Sequence, residues 1–412
     1  MTRTAEERQK FIVLSMLFVA WLIGNLDRMV INVAIIPIVD EFSLDPTAQG
    51  LILSSFFAGY ALMQIPGGWL ADKFGAAKVL TISLFLWSIF TALTGSAWSL
   101  VSLIIIRFLF GLGEAPFSPS SAVLISEHFP KDQRGRAQST LLSASVIGKA
   151  ITPVLASGII VWLGWRSLFF AIGVAGLVVA ILCLFYLRSP VRDRAAAANT
   201  LANKVPLKTL LKMPLLWSLL ITSFGIYFVT WGMASWMPTY LVKVRHLDLL
   251  SMGALSTIPS ITSFLSMIAG GVLLDRWLAG KEKGFVAACA LLTAVFIYLM
   301  FNAPSVGMVI LYETLSGITG TFIVIAVGLQ PLKRFSQEVI GTAMGIVNFG
   351  GQAAGFVAPL LIGMTVKAFN GSYDVALWIL VALMVVCAIA AMTWPTERKT
   401  TAATPASPTQ AG

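Results

Sequence analysis

The chain has 412 residues, of which 58% are hydrophobic and 11% charged, whereas ordinary soluble domains carry about 25% charged residues. Its mean hydropathy of +0.87 leaves too little polar surface to coat a water-soluble globule, and a bilayer removes that requirement. The net charge of +10 would suggest nucleic acid in a soluble protein, but the basic residues sit in loops between apolar runs, so no nucleic-acid partner is expected.

In chain order, a polar start from Thr2 to Lys10 precedes a full-length apolar run, which is too long for the core of a cleavable signal. Apolar runs lie at 11–39, 48–71, 77–97, 99–126, 137–162 and 166–187, then at 214–242, 250–278, 285–302, 304–331, 338–366 and 373–394. Lipid satisfies no free backbone group, so spans are helices or closed barrels, and these runs are too long and too continuously apolar for barrel strands. The expected fold is therefore an all-α integral membrane protein with twelve transmembrane helices in two six-helix pseudo-repeats. An amino-terminal bundle over 1–187 and a carboxy-terminal bundle over 214–394 flank a cytoplasmic linker at 188–213, and a disordered cytoplasmic tail follows at 395–412.

Orientation follows from Lys and Arg. With the amino terminus inside, 21 of the 28 basic residues fall in cytoplasmic segments. Four (Arg166, Lys243, Arg245 and Lys367) fall outside, and three lie within spans. That asymmetry places both termini in the cytoplasm of a cell inner membrane. Cys183, Cys289 and Cys387 sit in hydrophobic stretches and read as small core residues. His128 and His246 fall near helix ends, which argues against a buried histidine relay.

The halves are weakly alike: Gly68-Trp69-Leu70-Ala71-Asp72-Lys73-Phe74-Gly75 follows the second run, and Gly271-Val272-Leu273-Leu274-Asp275-Arg276 the eighth. The segment from Gly68 to Lys78 resembles the cytoplasmic loop signature of the major facilitator superfamily. That resemblance implies a gating role for Gly68, Asp72, Lys73 and Gly75, with the aspartate and basic residues locking helix ends of the two halves in the outward-facing state. A narrower set is similar to the anion:cation symporter family. It comprises Asn25-Leu26-Asp27-Arg28, Gly59-Tyr60, Pro66-Gly67-Gly68-Trp69, Arg107 through Ala115, Gly164-Trp165-Arg166 and Trp236 through Leu241. The resemblance implies a secondary active transporter that imports a small organic anion, such as a sugar acid, together with protons.

Six ionisable residues lie within spans: Asp27, Arg28, Arg107, Glu114, Lys149 and Glu313. Intramembrane charge costs about 2.5–3.5 kcal/mol per residue on insertion scales, so such groups face a cavity or a partner. Three acids and three bases also permit simple mutual pairing. Arg107 and Glu114, seven residues apart, share a helix face about 10 Å apart along the axis, and Gly111 between them leaves room for a ligand or another helix. Arg107 is expected to bind the substrate carboxylate bidentately, the alternative being a structural ion pair. Asp27 and Glu114 are the proton-coupling candidates. Arg28 either binds substrate or neutralises its neighbour. Lys149 either tunes substrate charge or snorkels, and Glu313 reads as part of a tight helix-packing face or as a transport residue. Tyr60, Tyr227 and Trp231 either line the site or pack, while Asn348 and Gln352, four apart, bind substrate hydroxyls or each other.

No Walker loop, metal-ligand cluster or nucleophile–base set is present, so neither cofactor nor enzymatic chemistry is expected. The expected partners are a small organic anion, protons and the lipid bilayer, with the chain acting as a monomer. Dicarboxylates, aromatic acids, sodium- or potential-driven transport, drug efflux and a membrane-embedded enzyme are the competing readings.

Overall fold

The computed structural model describes residues 5–187, 210–276, 278, 280–335 and 340–394. The expected tail at 395–412, and the expected linker at 188–213 except for its last residues, lie outside the described residues. The helices are α1 (Ala5–Glu41), α2 (Pro46–Phe74), α3 (Ala76–Gly95), α4 (Leu100–Glu114), α5 (Phe117–His128) and α6 (Lys131–Tyr186). They are followed by α7 (Pro214–Lys243), α8 (Leu249–Arg276), α9 (Glu282–Phe301), α10 (Val306–Arg334), α11 (Ile340–Ala368) and α12 (Asp374–Met392). Taking Leu100–His128 as one unit, eleven helical segments among the described residues are long and apolar enough to cross a membrane.

Two elements depart from the apolar runs. The run at 99–126 breaks at Ala115–Pro116 into α4 and α5, because Pro116 has no N–H to continue the ladder. Gly67 of α2 packs against that break: a Cβ built there would stand 2.7 Å from the Cα of Pro116. Helix α6 is continuous by hydrogen bonding over 56 residues. As one straight rod it would measure about 84 Å, against about 30 Å of hydrocarbon. It is interrupted at Gly164, whose φ of 81° and ψ of 162° lie outside the helical region. The adjoining residues pin that turn: Trp165 Nε1 donates to Glu41 Oε2 at 2.7 Å, and Arg166 donates to the same carboxylate at 2.6 Å and to the Ala97 carbonyl at 3.3 Å.

Three large apolar cores organise the helices. One is built wholly from residues between Leu210 and Trp394. A second runs from Val13 to Leu187 and admits Trp231. The third mixes the two regions, from Val30 to Ile172 and from Met237 to Ile310. It gathers at the end of the molecule where α1 stops, α2 starts and α7 stops. Polar links tie the same end: Lys243 to Asp40 at 2.6 Å, Lys367 to Asp45 at 2.9 Å and Gln49 to Thr239 at 2.8 Å. Asp45 also caps α2 by accepting from the Ala48 N–H at 2.9 Å. The Lys367 ammonium, aided by that N–H, holds the Asp45 carboxyl below its usual range. Backbones meet here without intervening side chains, since a Cβ on Gly50 would lie 2.6 Å from the Pro359 carbonyl and one on Gly363 2.3 Å from that of Pro46. Towards the other end of α2, Leu62, Ile65 and Trp69 are exposed, Ile65 by 85%.

Candidate functional site

The site begins with two glycines. A Cβ on Gly111 of α4 would fall 2.1 Å from the Phe56 carbonyl oxygen, and one on Gly59 of α2 would fall 2.1 Å from that of Phe108. Gly111 therefore makes room for another helix: α2 and α4 touch backbone to backbone, which presses Phe56 and Tyr60 against the charged face of α4. Gly148 plays the same part between α6 and α1, with a Cβ there only 3.0 Å from the Asn25 Cβ.

These contacts gather charges from helices distant in sequence. Adjacent on α1, Asp27 and Arg28 diverge by about 100°. Asp27 is 1% exposed and accepts a hydrogen bond from Thr91 Oγ1 on α3, while its Oδ1 is buried without a partner. Arg28 turns towards α4 and pairs with Glu114 through Nη2 and Oε1. Its ion pair is with Glu114 and not with its neighbour Asp27. Its guanidinium also lies over the rings of Phe56 (5.0 Å) and Tyr60 (4.9 Å). Glu114 Oε2 is buried with no donor. Arg107, 1% exposed, lies 4.5 Å from the Phe110 ring centroid and 5.6 Å from that of Phe56, and its Nε and Nη1 are buried without acceptors. Planar guanidinium over aromatic faces is favourable, but each unfilled N–H in a desolvated place is costly. Mutual pairing of all six charges is thus not what the chain adopts. Among the described residues only Arg28 and Glu114 of the six form an ion pair.

A cavity of about 180 Å³ opens beside that pair, walled by Trp21, Asn25, Arg28, Tyr60, Glu114, Ser118, Ser145 and Lys149, among others. Lys149 has accessible surface, and its ammonium sits 5.8 Å from the ring centroid of Trp231 on α7. The lysine therefore reaches across the cavity towards the other half of the chain and does not run out along α6 to a membrane surface. A second, much smaller pocket shares Arg28 and adds Arg107, Asn32, Phe57, Trp231 and Ser235. Trp231 packs edge-on against Phe57 at 4.8 Å. It closes the gap between the two regions of the chain.

The remaining expected residues fall elsewhere. Tyr227 is half-buried and packs on Gly351, where a Cβ would meet its ring at 2.9 Å. Asn348 is exposed, and Gln352 Oε1 is buried without a partner. None of the three lines either cavity. Glu313 is half-buried on α10, with Oε2 lacking a donor, while its neighbour Gly317 packs near Ser263. Gly75 ends α2 with φ +94°, a conformation that favours glycine, and donates its N–H to the Ala71 carbonyl at 3.1 Å. Lys73 lies over the Trp69 ring at 4.5 Å. Gly68 sits near Pro119, and with Asp72 these residues occupy the end of α2 remote from Asp45. The sequence reading passed over Trp21, Ser118 and Ser145 and used Asn25 only as part of a motif. Trp21 Nε1 donates to Ser145 Oγ, and Asn25 Nδ2 donates to Ser145 Oγ at 3.0 Å and to the Trp21 carbonyl at 2.8 Å. The one available signal was their i, i+4 alignment, Trp21 with Asn25 and Ser145 with Lys149.

A long helical membrane chain with charged groups converging on an internal cavity matches what comparison with known proteins returns. The family model of the Major Facilitator Superfamily matches residues 17–359 and 252–411, and the chain belongs to that superfamily. The chain is 30% identical to a probable sulfoacetate transporter, SauU, of Cupriavidus necator, covering 93% of this chain and 94% of that protein. It is 29% identical to the probable galactarate/D-glucarate transporter GarP of Escherichia coli K12 (91% and 93% covered) and to a hexuronate transporter of Bacillus subtilis (90% and 92%). These relatives agree with the resemblance to anion:cation symporters carried by the sequence motifs. Among solved structures, a bacterial homologue of the human lysosomal transporter Spinster superposes with a TM-score of 0.77 at 20% identity, covering 93% of this chain and 95% of that one. A D-xylose–proton symporter superposes at 0.76 with 16% identity, covering 93% and 97%. The chain is a multi-pass membrane transporter, and its family and relatives are transporters rather than enzymes.

Proposed function

We propose that the chain imports a small organic anion of the sugar-acid type together with protons, through the cavity that Arg28, Glu114 and Lys149 line. The observation that carries this reading is the Arg28–Glu114 pair on the cavity wall, with unsatisfied Arg107 N–H groups nearby. Ionised Glu114 occupies Arg28 and competes with an incoming carboxylate. Protonation of Glu114 removes the competitor, so proton and anion assist each other, and linkage makes the assistance reciprocal. Asp27, buried with its Oδ1 unpartnered, plays the same part for Arg107, whose Nε and Nη1 are likewise buried without partners. Tyr60 and Trp231 shape the site, and the names of the relatives support sugar acids as candidate substrates.

In this reading Gly164 separates two spans, which makes twelve in two six-helix bundles, 1–187 and 214–394, with both termini cytoplasmic in the inner membrane. The end tied by Lys243–Asp40 and Lys367–Asp45 then faces outward, and the chain rests open to the cytoplasm. Rocking of the halves about the cavity exposes it alternately to the two sides, with Gly68, Asp72, Lys73 and Gly75 acting at the cytoplasmic face when it closes.

Thermal unfolding of the purified protein tests the anion claim, because a ligand that binds only the folded state raises the midpoint. Sugar acids should raise it for the parental protein and fail to do so for Arg107→Ala. Equal shifts from neutral sugars of the same carbon skeleton would overturn the reading.

A further inference from the structure

The mechanism above uses arginines to hold a carboxylate, yet the cavity that Arg28 lines has a further cation, Lys149, at its other wall. Lys149 is a cation without an acidic partner within ion-pairing distance among the described residues, and Arg28, of the same sign, lines the same cavity. Two like charges on one cavity repel each other, and negative charge placed between them relieves the repulsion. Glu114 pairs with Arg28 through Oε1, and its Oε2 takes no hydrogen bond from Lys149.

The local register shows how the lysine is held there. Gly148 brings α6 against α1, its missing Cβ leaving Asn25 and the Leu22 carbonyl in contact range. Ser145 and Lys149, four residues apart on α6, therefore face Trp21, Asn25 and Arg28 on α1. Between the two cationic heads lies a neutral polar patch. Asn25 spends its Nδ2 on Ser145 and the Trp21 carbonyl, which leaves its Oδ1 to accept from a ligand hydroxyl. The indole face of Trp231 beside the ammonium holds the lysine head in the cavity.

Resting on the anion reading above, we propose that Lys149 is a specificity-determining residue that makes the cavity select ligands with two anionic groups. One group sits at Lys149, the other at Arg28 once Glu114 releases it, and hydroxyls between them meet Asn25 and Ser145. A monoanion of the same length leaves one cation unneutralised.

The test uses a matched pair, galactarate and galactonate, which share a six-carbon hydroxylated chain and differ by one carboxylate. Affinities are measured by calorimetry on purified full-length protein at one pH. The parental protein should prefer galactarate by about tenfold or more, the scale of one charge-assisted contact. Lys149→Met should lose about that factor for galactarate while changing galactonate by less than about threefold, and Lys149→Arg should keep the preference. Lys149→Gln repeats the comparison if the methionine variant does not elute as a single species. No preference in the parental protein, or equal losses for both ligands in the variant, overturns this inference and leaves the anion reading standing. Failure of the parental protein to bind either acid overturns both.

Discussion

Replacing Glu114 by glutamine keeps the shape of the side chain, removes its charge and so imitates the protonated carboxyl. In the parental protein Glu114 holds Arg28 through Oε1 while Oε2 stands buried without a donor. An arriving carboxylate must therefore displace an ion pair unless a proton is taken up with it. If one proton enters with each anion, log Kd rises by about one for each pH unit above the carboxyl's titration range, and by about two if Asp27 also takes one. Glu114→Gln should lower that slope by about one and bring the variant's affinity at neutral pH towards the parental low-pH limit. Coupling free energies of about 1–3 kcal/mol place the separation between the limits at about 5- to 150-fold. Breaking a buried pair by deleting one partner costs about 3–5 kcal/mol, but the amide oxygen still accepts from Arg28, and the Phe56 and Tyr60 rings still cover the guanidinium. The variant should therefore fold. Calorimetric titration with a sugar acid across the neutral range gives both slopes, and equal slopes in the two proteins would refute the linkage argument.

Two further outcomes follow from packing and from the tied end. Gly111→Ala places a Cβ 2.1 Å from the Phe56 carbonyl, which forces α2 and α4 apart. It should lower the unfolding midpoint by the equivalent of about 1–3 kcal/mol, whereas Gly158→Ala, with nothing within 4 Å of its added carbon, should not lower it. Removing Lys243 and Lys367 together should raise the outward-open population, read as increased distance between spin labels on α2 and α11 near Asp45 and Lys367. The effect should stay modest, because exposed pairs contribute about 0.2–1 kcal/mol each. Asp45 is held below its usual range, so its contribution is complete above the ordinary aspartate value and is lost only as pH falls through the lowered one. This tie should not titrate near neutrality, and a neutral-pH transition in that label distance would contradict it.

Much of the architecture was legible because lipid imposes a coarse rule that sequence obeys: long apolar runs must be helices. The separation of 137–162 from 166–187 is marked in sequence by Gly164-Trp165-Arg166, and in the structure those residues turn the chain and fasten it to Glu41. The break at Ala115–Pro116 was not marked, since one proline in an apolar run is equally compatible with a kinked, continuous helix. For the site, residue type alone singled out Arg28, Arg107, Glu114 and Lys149, because buried charge is expensive and rare. What it could not give was partnership. Arg28 and Glu114 are 86 positions apart, and no local spacing chooses Glu114 over the adjacent Asp27. Gly111 was ambiguous between ligand and helix for the same reason, the deciding contact being Phe56 on α2. Asn25 and Ser145 are small polar residues in apolar helices, and only the approach of α6 to α1 at Gly148 gives them a common purpose. Asn348 and Gln352 are four apart on α11, and neither lines the two pockets that hold Arg28.

The central claim is that a proton gradient drives accumulation of an organic anion through Asp27 and Glu114. Its most direct measurement is uptake of labelled galactarate into sodium-free proteoliposomes with an imposed inward proton gradient, paired with counterflow at equal pH on both sides. The parental protein should accumulate galactarate above its external concentration and perform counterflow. At least one of Asp27→Asn and Glu114→Gln should retain counterflow while losing accumulation, because binding and rocking survive without the proton step. If accumulation requires added sodium, or if both variants still concentrate galactarate at the parental level, these carboxylates do not carry the driving ion.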